Sequence, residues 1–293
     1  MLLASGCTTV GLPPSQFPAT QFPATQVSTV LKPLPSPELN PDLFKPLYPS
    51  NDRDWTPAQA SLAYAEIDGD QMTVHNVRNC DYRTPEDFTV EYDDRTYDLR
   101  TVESVDFIMV PFSTIPGVGH TMLSFGFSDG RHLAVSVEIR KEKGESYGPL
   151  KGFFRQYEII YVVADERDVI GLRANHWLEN VYVYRTRATP EQSRALLTTV
   201  MQRVNKLVDQ PEFYNTLTNN CTTNIVRHIN QLSPGLVQYD YRVLLPGYSD
   251  QLAYELGLLD TDTTFEQTKL RARVNYPAYV YRESPDFSEK IRR

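Results

Sequence analysis

No run in the 293-residue sequence approaches the roughly 18 consecutive apolar residues of a membrane-crossing helix, so no segment reads as a transmembrane span. Neither a CxxC nor an HExxH spacing occurs, which removes the usual arguments for a bound metal, and no cofactor is expected. Positive charge is in deficit: 29 Lys and Arg stand against 37 Asp and Glu, a net charge of −8. Phosphate binding needs clustered cations, so nucleic acid is excluded as a partner. Cysteine is scarce, with three in the chain, at positions 7, 80 and 221.

What is present supports a sizeable core. Hydrophobic residues make up 41% of the chain, enough for one large or two small domains, and 18 Tyr with 13 Phe favour strands. The first residues, Leu3-Ala4-Ser5-Gly6-Cys7, resemble a bacterial lipobox, in which Cys7 would carry lipid; Ala4 stands where Leu is usual. Ten of the 21 prolines fall in the first 50 residues, together with a direct repeat, "QFPAT" at 16–20 and 21–25. Proline fixes φ and removes a donor, so residues 1–54 are expected to form an extended tether. A catalytic domain is expected over 55–245, with a C-terminal extension, 246–293, packed on it.

Local patterns predict the elements. Thr73–Val77 reads as a strand, and Asp87–Leu99 as a hairpin turning at Asp93-Asp94. Val105–Phe112 is a mostly apolar run that suits a buried strand, and His120–Phe127, Tyr157–Val163 and Asn180–Thr186 carry strand patterns. Pro190–Val208 reads as a helix, with Thr189 as N-cap and Gln192 completing a capping box. Cys221 opens a second helix, with Ile225, Val226, Ile229 and Leu232 as its buried stripe. The expected class is α+β, a largely antiparallel sheet with helices packed against it.

The stretch "NNCTTNIV" (219–226) carries the chemistry. A thiol in the first turn of a helix meets the positive end of the macrodipole and unpaired N–H groups, which favour thiolate and can hold an oxyanion. Asn220 and the Cys221 amide are the candidate oxyanion donors. Among five histidines, His228 is seven residues along the same helix, about 10 Å away and too far to take the proton. His75 and His176 lack a supporting pattern.

The remaining two flank one hairpin. "FSDGR" (127–131) suits a three-residue turn with Gly130 in the left-handed position. That register sets His120 across from Glu138 and collects His120, Ser124, Ser136 and Glu138 on one face. His132 lies six residues along the strand, roughly 20 Å away. The expected triad is therefore Cys221 as nucleophile, His120 as base and Glu138 orienting the imidazole and favouring its protonated state. Two other readings of Cys221 stay open: a small buried apolar residue, and a disulfide with Cys80 in an oxidising compartment.

These stretches resemble the Lnb N-terminal periplasmic domain family, associated with the lyso-form lipoprotein intramolecular transacylase. The resemblance rests on "NVRNCDYRT", "GHTMLSFGFSDGRHLAVSVEIRKEKGE", "YEIIYVVADERDVIGLRAN", "PEFYNTLTNNCTTNI" and "LLPGYSDQLAYELGLL". It implies a circularly permuted papain-like fold, with the histidine strand before the cysteine helix. It implies a cell-envelope acyltransferase or acyl hydrolase in which the Cys221 thiolate takes an acyl chain from a lipoprotein or phospholipid ester. A lipoprotein transacylase would then pass that chain to the N-terminal amine. The resemblance also implies a periplasmic location, and the lipobox-like start adds a lipid anchor at Cys7 reaching the membrane surface, the outer membrane in particular. Arg140 and Arg155 are candidate partners for a lipid phosphate. A papain-type amidase acting on cell-wall peptides and a non-catalytic envelope lipoprotein are the competing functions.

Overall fold

The computed structural model describes residues 48–112, 116–145 and 157–293. Ten strands appear among them: β1 (Tyr64–Asp68), β2 (Gln71–Arg78), β3 (Asp81–Tyr82), β4 (Phe88–Thr89), β5 (Tyr92–Asp98), β6 (Val102–Pro111), β7 (Gly119–Phe127), β8 (His132–Arg140), β9 (Glu158–Ala164) and β10 (Tyr182–Arg185). The main sheet runs β1-β2-β9-β8-β7-β6-β10, with β5 also on β2, while β3 and β4 pair separately. All its pairings are antiparallel except β2 with β9.

Among the α-helices, α1 (Glu166–Gly171) lies between β9 and β10, and the others follow β10: α2 (Pro190–Asp209), α3 (Cys221–Leu232), α4 (Tyr241–Leu244), α5 (Ser249–Glu255), α6 (Phe265–Ala272), α7 (Asn275–Val280) and α8 (Phe287–Lys290). The class is mixed α+β with a mainly antiparallel sheet. The start of α2 is set by the predicted capping box, with Thr189 accepting from the Gln192 amide.

The hairpin joining β7 and β8 turns as the sequence suggests. Gly130 has φ +84°, the Phe127 amide donates to Arg131 O, and the ladder pairs Phe125 with Leu133, Leu123 with Val135 and Met122 with Ser136. The hairpin expected at Asp93-Asp94 does not form. Both residues lie inside β5, which runs unbroken along β2. Asp94 instead serves a bulge in β2: its carboxylate accepts from the Asn76 amide at 3.1 Å and meets His75 Nδ1 at 2.8 Å, where Asn76 has φ 57°. An acidic pair that looks like a turn thus stabilises a left-handed residue in the neighbouring strand.

Strand alternation gives the sheet two buried faces. On one, Leu123, Phe125, Val135, Val137 and Tyr161 pack with residues of α2 and α3. On the other, Met122, Ala134, Ile160 and Val162 pack with Val169 and Ile170 of α1, Ala278 of α7 and Phe287 of α8. Each fully buried aliphatic or aromatic side chain contributes roughly 1.5–3 kcal/mol relative to exposure. The C-terminal segment is tied to the second face by charge as well. Arg292 donates to Asp106 at 2.7 Å and bonds both oxygens of Glu166, and the two carboxylates are buried.

Candidate functional site

Cys221 occupies the first turn of α3, as its local sequence requires. Asn220 precedes it in extended conformation, and its side chain accepts from the Thr223 amide at 2.8 Å while Thr223 Oγ1 accepts from the Asn220 amide at 2.8 Å. Asn220 Nδ2 donates to Thr216 O at 2.6 Å. Asn220 is thus a helix cap whose Nδ2 uses one of its two hydrogens on Thr216 O. The amides of Cys221 and Thr222 stay in the first turn, where no intrahelical acceptor exists.

The first turn of α3 is held to β7. Thr222 Oγ1 and Thr121 Oγ1 lie 3.1 Å apart, and Cys221 Sγ lies 3.8 Å from Thr222 Oγ1. Cys221 is buried and free, as is Cys80, so the disulfide reading is overturned. The Cys80 amide donates to Asp168 at 2.7 Å, and burial pushes its thiol up to about 11, well away from reactivity.

His120 and Glu138 are brought together, with Ser136 between them. Ser136 Oγ donates to Glu138 Oε1 at 2.8 Å and lies 2.7 Å from His120 Nε2. The single serine hydrogen is used on the carboxylate, so Nε2 carries the ring proton and Nδ1 the lone pair. Burial and the nearby Arg173 guanidinium push the imidazole down to about 3 against the opposing pull of Glu138. Glu138 favours the protonated state as the sequence reading expected, but burial and Arg173 outweigh it and the ring is neutral near pH 7. Burial alone would raise Glu138, but Arg173, Arg78 and His120 outweigh it and hold the carboxyl near 2. Arg173 Nη2 reaches Glu138 at 2.9 Å.

The thiol and this relay sit at the same end of β7 but on alternating positions. Thr121 points to α3, whereas its neighbour His120 belongs with Met122 and Ser136 on the face covered by α1. Among the described residues no hydrogen bond joins Sγ to an imidazole; its contact is Thr222 Oγ1. His228 bonds Tyr161 OH through Nε2 at 3.1 Å, and burial with Arg203 and Arg227 depresses it to about 4.

Along α3 lies a cavity of about 460 Å³, within the range of pockets that hold small molecules, ~300–1,000 Å³. Its walls come from the sheet (Val105, Phe107, Leu123), from α2, from α5 and from the apolar side of α3. The stripe predicted to be buried is therefore graded. Ile225 is buried, Val226 and Ile229 are half-buried, Leu232 is exposed, and all four line the cavity. Thr222, next to Cys221, is among its polar lining residues.

Arg140 is not placed to meet a headgroup. It is buried, donates to the carbonyls of Gln59 at 2.9 Å and Ala60 at 2.7 Å, reaches Asn51 Oδ1 at 3.1 Å and stacks 4.2 Å from the Trp55 ring. Burial brings its guanidinium down to about 10. Its role is to fasten the segment before β1 to β8. Arg155 and Cys7 lie outside the described residues.

Sequence reasoning placed Ser136 on the right face without giving it a role, although its alternation with Glu138 carries the signal. Arg173 was missed. It comes from a π-helical turn, Leu172–His176, which no local pattern announces.

Residues 88–247, more than half of the chain, match the family model of the Lnb N-terminal periplasmic domain. No curated protein and no solved structure matches the chain.

Proposed function

The chain belongs to the Lnb N-terminal periplasmic domain family, and on that premise we propose that it performs thiol-dependent acyl chemistry on the periplasmic side of the cell envelope. The observation that carries this reading is the largely apolar cavity along α3, which reaches Thr222, whose Oγ1 lies 3.8 Å from the thiol sulfur. A peptide substrate would call for a polar open cleft, so the lining favours an acyl chain over a cell-wall peptide.

In this reading the chain of an ester lies in the cavity with its carbonyl at Cys221. The sulfur attacks that carbonyl, the C–S bond forms, and the ester C–O bond breaks. Nδ1 of His120 takes the thiol proton and returns it to the leaving oxygen. Ser136 and Glu138 hold the imidazole in the tautomer that leaves Nδ1 free. The first-turn amides of α3 stabilise the oxyanion. An amine or water then releases the acyl group from sulfur, transfer in the first case and hydrolysis in the second. Because His120 and α3 face opposite sides of β7, proton transfer requires Cys221 or the imidazole to shift toward the end of the strand. The order of elements, histidine strand before cysteine helix, supports a permuted papain-like arrangement.

A second reading has its own support. The sulfur is buried against Thr222 and makes no imidazole contact, which fits a family member that binds acyl chains without cleaving them. Phospholipid carrying a labelled acyl chain separates the two. Release or transfer of label by the wild type, lost in Cys221→Ala, supports the enzyme; retention of label by a protein that binds but never releases it supports the binder.

A further inference from the structure

Seven of the 19 exposed large hydrophobic side chains among the described residues fall between Leu232 and Leu256, a segment whose Leu236, Val237, Val243 and Leu252 line the cavity. Leu232, Leu236 and Leu256 are exposed and at the same time line the cavity, so on their side the apolar interior runs out onto the surface, while Arg187, Glu191 and Gln192 line it as exposed polar residues from the start of α2 and the chain before it. Beside them Tyr239 is 87% exposed and Tyr241 62%, with Leu245 also exposed.

The segment is held in place rather than left loose. Asn230 of α3 pins Val237 through both its backbone groups, at 2.8 and 2.9 Å. Arg242 of α4 reaches Glu255 at the end of α5 at 2.6 Å. The same arginine pairs with Asp240 at 2.9 Å, so one cation stands against two carboxylates and the patch has no positive charge in excess. A fixed apolar surface edged by tyrosines, whose rings are apolar and whose hydroxyls are wet, has the chemistry of the boundary between lipid tails and headgroups. With its one arginine taken up by two carboxylates, the patch gives no basis for attraction to anionic headgroups.

We propose that this surface seats the domain on an uncharged phospholipid bilayer, so that an acyl chain passes from the membrane into the cavity through the gap between Leu232, Leu236 and Leu256. The proposal rests on the acyl-chain reading of the cavity. It places the donor in a membrane rather than on a soluble carrier. The surface begins within the family match and continues past its end at residue 247.

The test uses the full chain carrying Cys7→Ser, so that no lipid anchor contributes, with vesicles of phosphatidylcholine alone or mixed with phosphatidylglycerol. Binding to phosphatidylcholine vesicles is expected, little changed by phosphatidylglycerol or salt. It is expected to fall about tenfold in Tyr239→Ser/Tyr241→Ser, whose substitutions lie on the surface and leave the circular-dichroism spectrum unchanged. In parallel, monomeric cis-parinaric acid reports on the cavity in both proteins. No vesicle binding with parinaric acid still bound overturns the docking proposal and leaves the acyl reading standing. Loss of both overturns both. Binding that requires phosphatidylglycerol overturns the proposal, as does a dimer in solution that the two substitutions dissociate.

Discussion

Thr121 on β7 and Thr222 on α3 share a buried hydrogen bond of 3.1 Å, which ties the turn bearing Cys221 to the strand position next to His120. Removing the Thr121 hydroxyl leaves Thr222 Oγ1 in the core with only the weak Cys221 sulfur contact, so Thr121→Val should destabilise the protein by about 1–3 kcal/mol. Thr121→Val/Thr222→Val should lose less than the sum of the two single changes. Urea unfolding of the three variants measures the coupling. Additive losses would mean that the pair does not hold the two elements together.

The buried histidines predict sensitivity to acid. His120 is lowered to about 3 and His228 to about 4, each from 6.5, with burial the first cause, and His132 is lowered as well. A group lowered on folding binds its proton more readily in the unfolded chain, so stability is full above pH 6.5 and falls as pH drops below it. Glu138, lowered from 4.5 to about 2, adds a further loss below pH 4.5. Thermal unfolding should therefore show Tm declining steadily from pH 7 to pH 5. The decline should be shallower in His228→Phe, and a flat profile in the wild type would contradict the assignment.

Filling the cavity should separate binding from folding. Ala195 lines it from α2 and is only half-buried, so Ala195→Trp places an indole in the space with little core strain. Parinaric acid binding is expected to fall by at least about tenfold while Tm changes little. Unchanged binding would place the acyl site elsewhere.

Arg292 supplies a stability test remote from the thiol. It compensates Asp106 and Glu166, both buried, with help from Arg185 at 3.0 Å on Asp106. Arg292→Ala leaves Glu166 without a cation and Asp106 with Arg185 alone, and should cost about 3–5 kcal/mol in denaturant unfolding. A loss under about 1 kcal/mol would show that the C-terminal segment contributes little to the fold.

Features written in short stretches were legible in the sequence. The Thr189 cap, the first turn at Cys221 and the β7–β8 register all follow from residues within a few positions of one another. The register in turn brought His120 and Glu138 to one face. What failed depended on distant partners. Asp93 and Asp94 look like a turn until β2 supplies Asn76 for the second of them to cap. Arg140 looks like a free cation, but carbonyls some 80 residues upstream occupy it. Arg173, which helps to keep His120 neutral, arrives from a π-helical turn after α1. The graded exposure of Ile225 through Leu232 also escaped the periodic pattern, since helical spacing marks an apolar side without saying whether a core or a cavity faces it.

The central claim is that Cys221 accepts the acyl chain, and intact-mass analysis of the protein quenched in acid during incubation with phospholipid tests it most directly. One acyl group should appear on the wild type, map to the peptide containing Cys221, leave Cys80 unmodified and be released by hydroxylamine. It should be absent from Cys221→Ala and greatly reduced in His120→Ala. A fully active wild type with no acyl group on Cys221, or an undiminished rate in Cys221→Ala, would contradict the account.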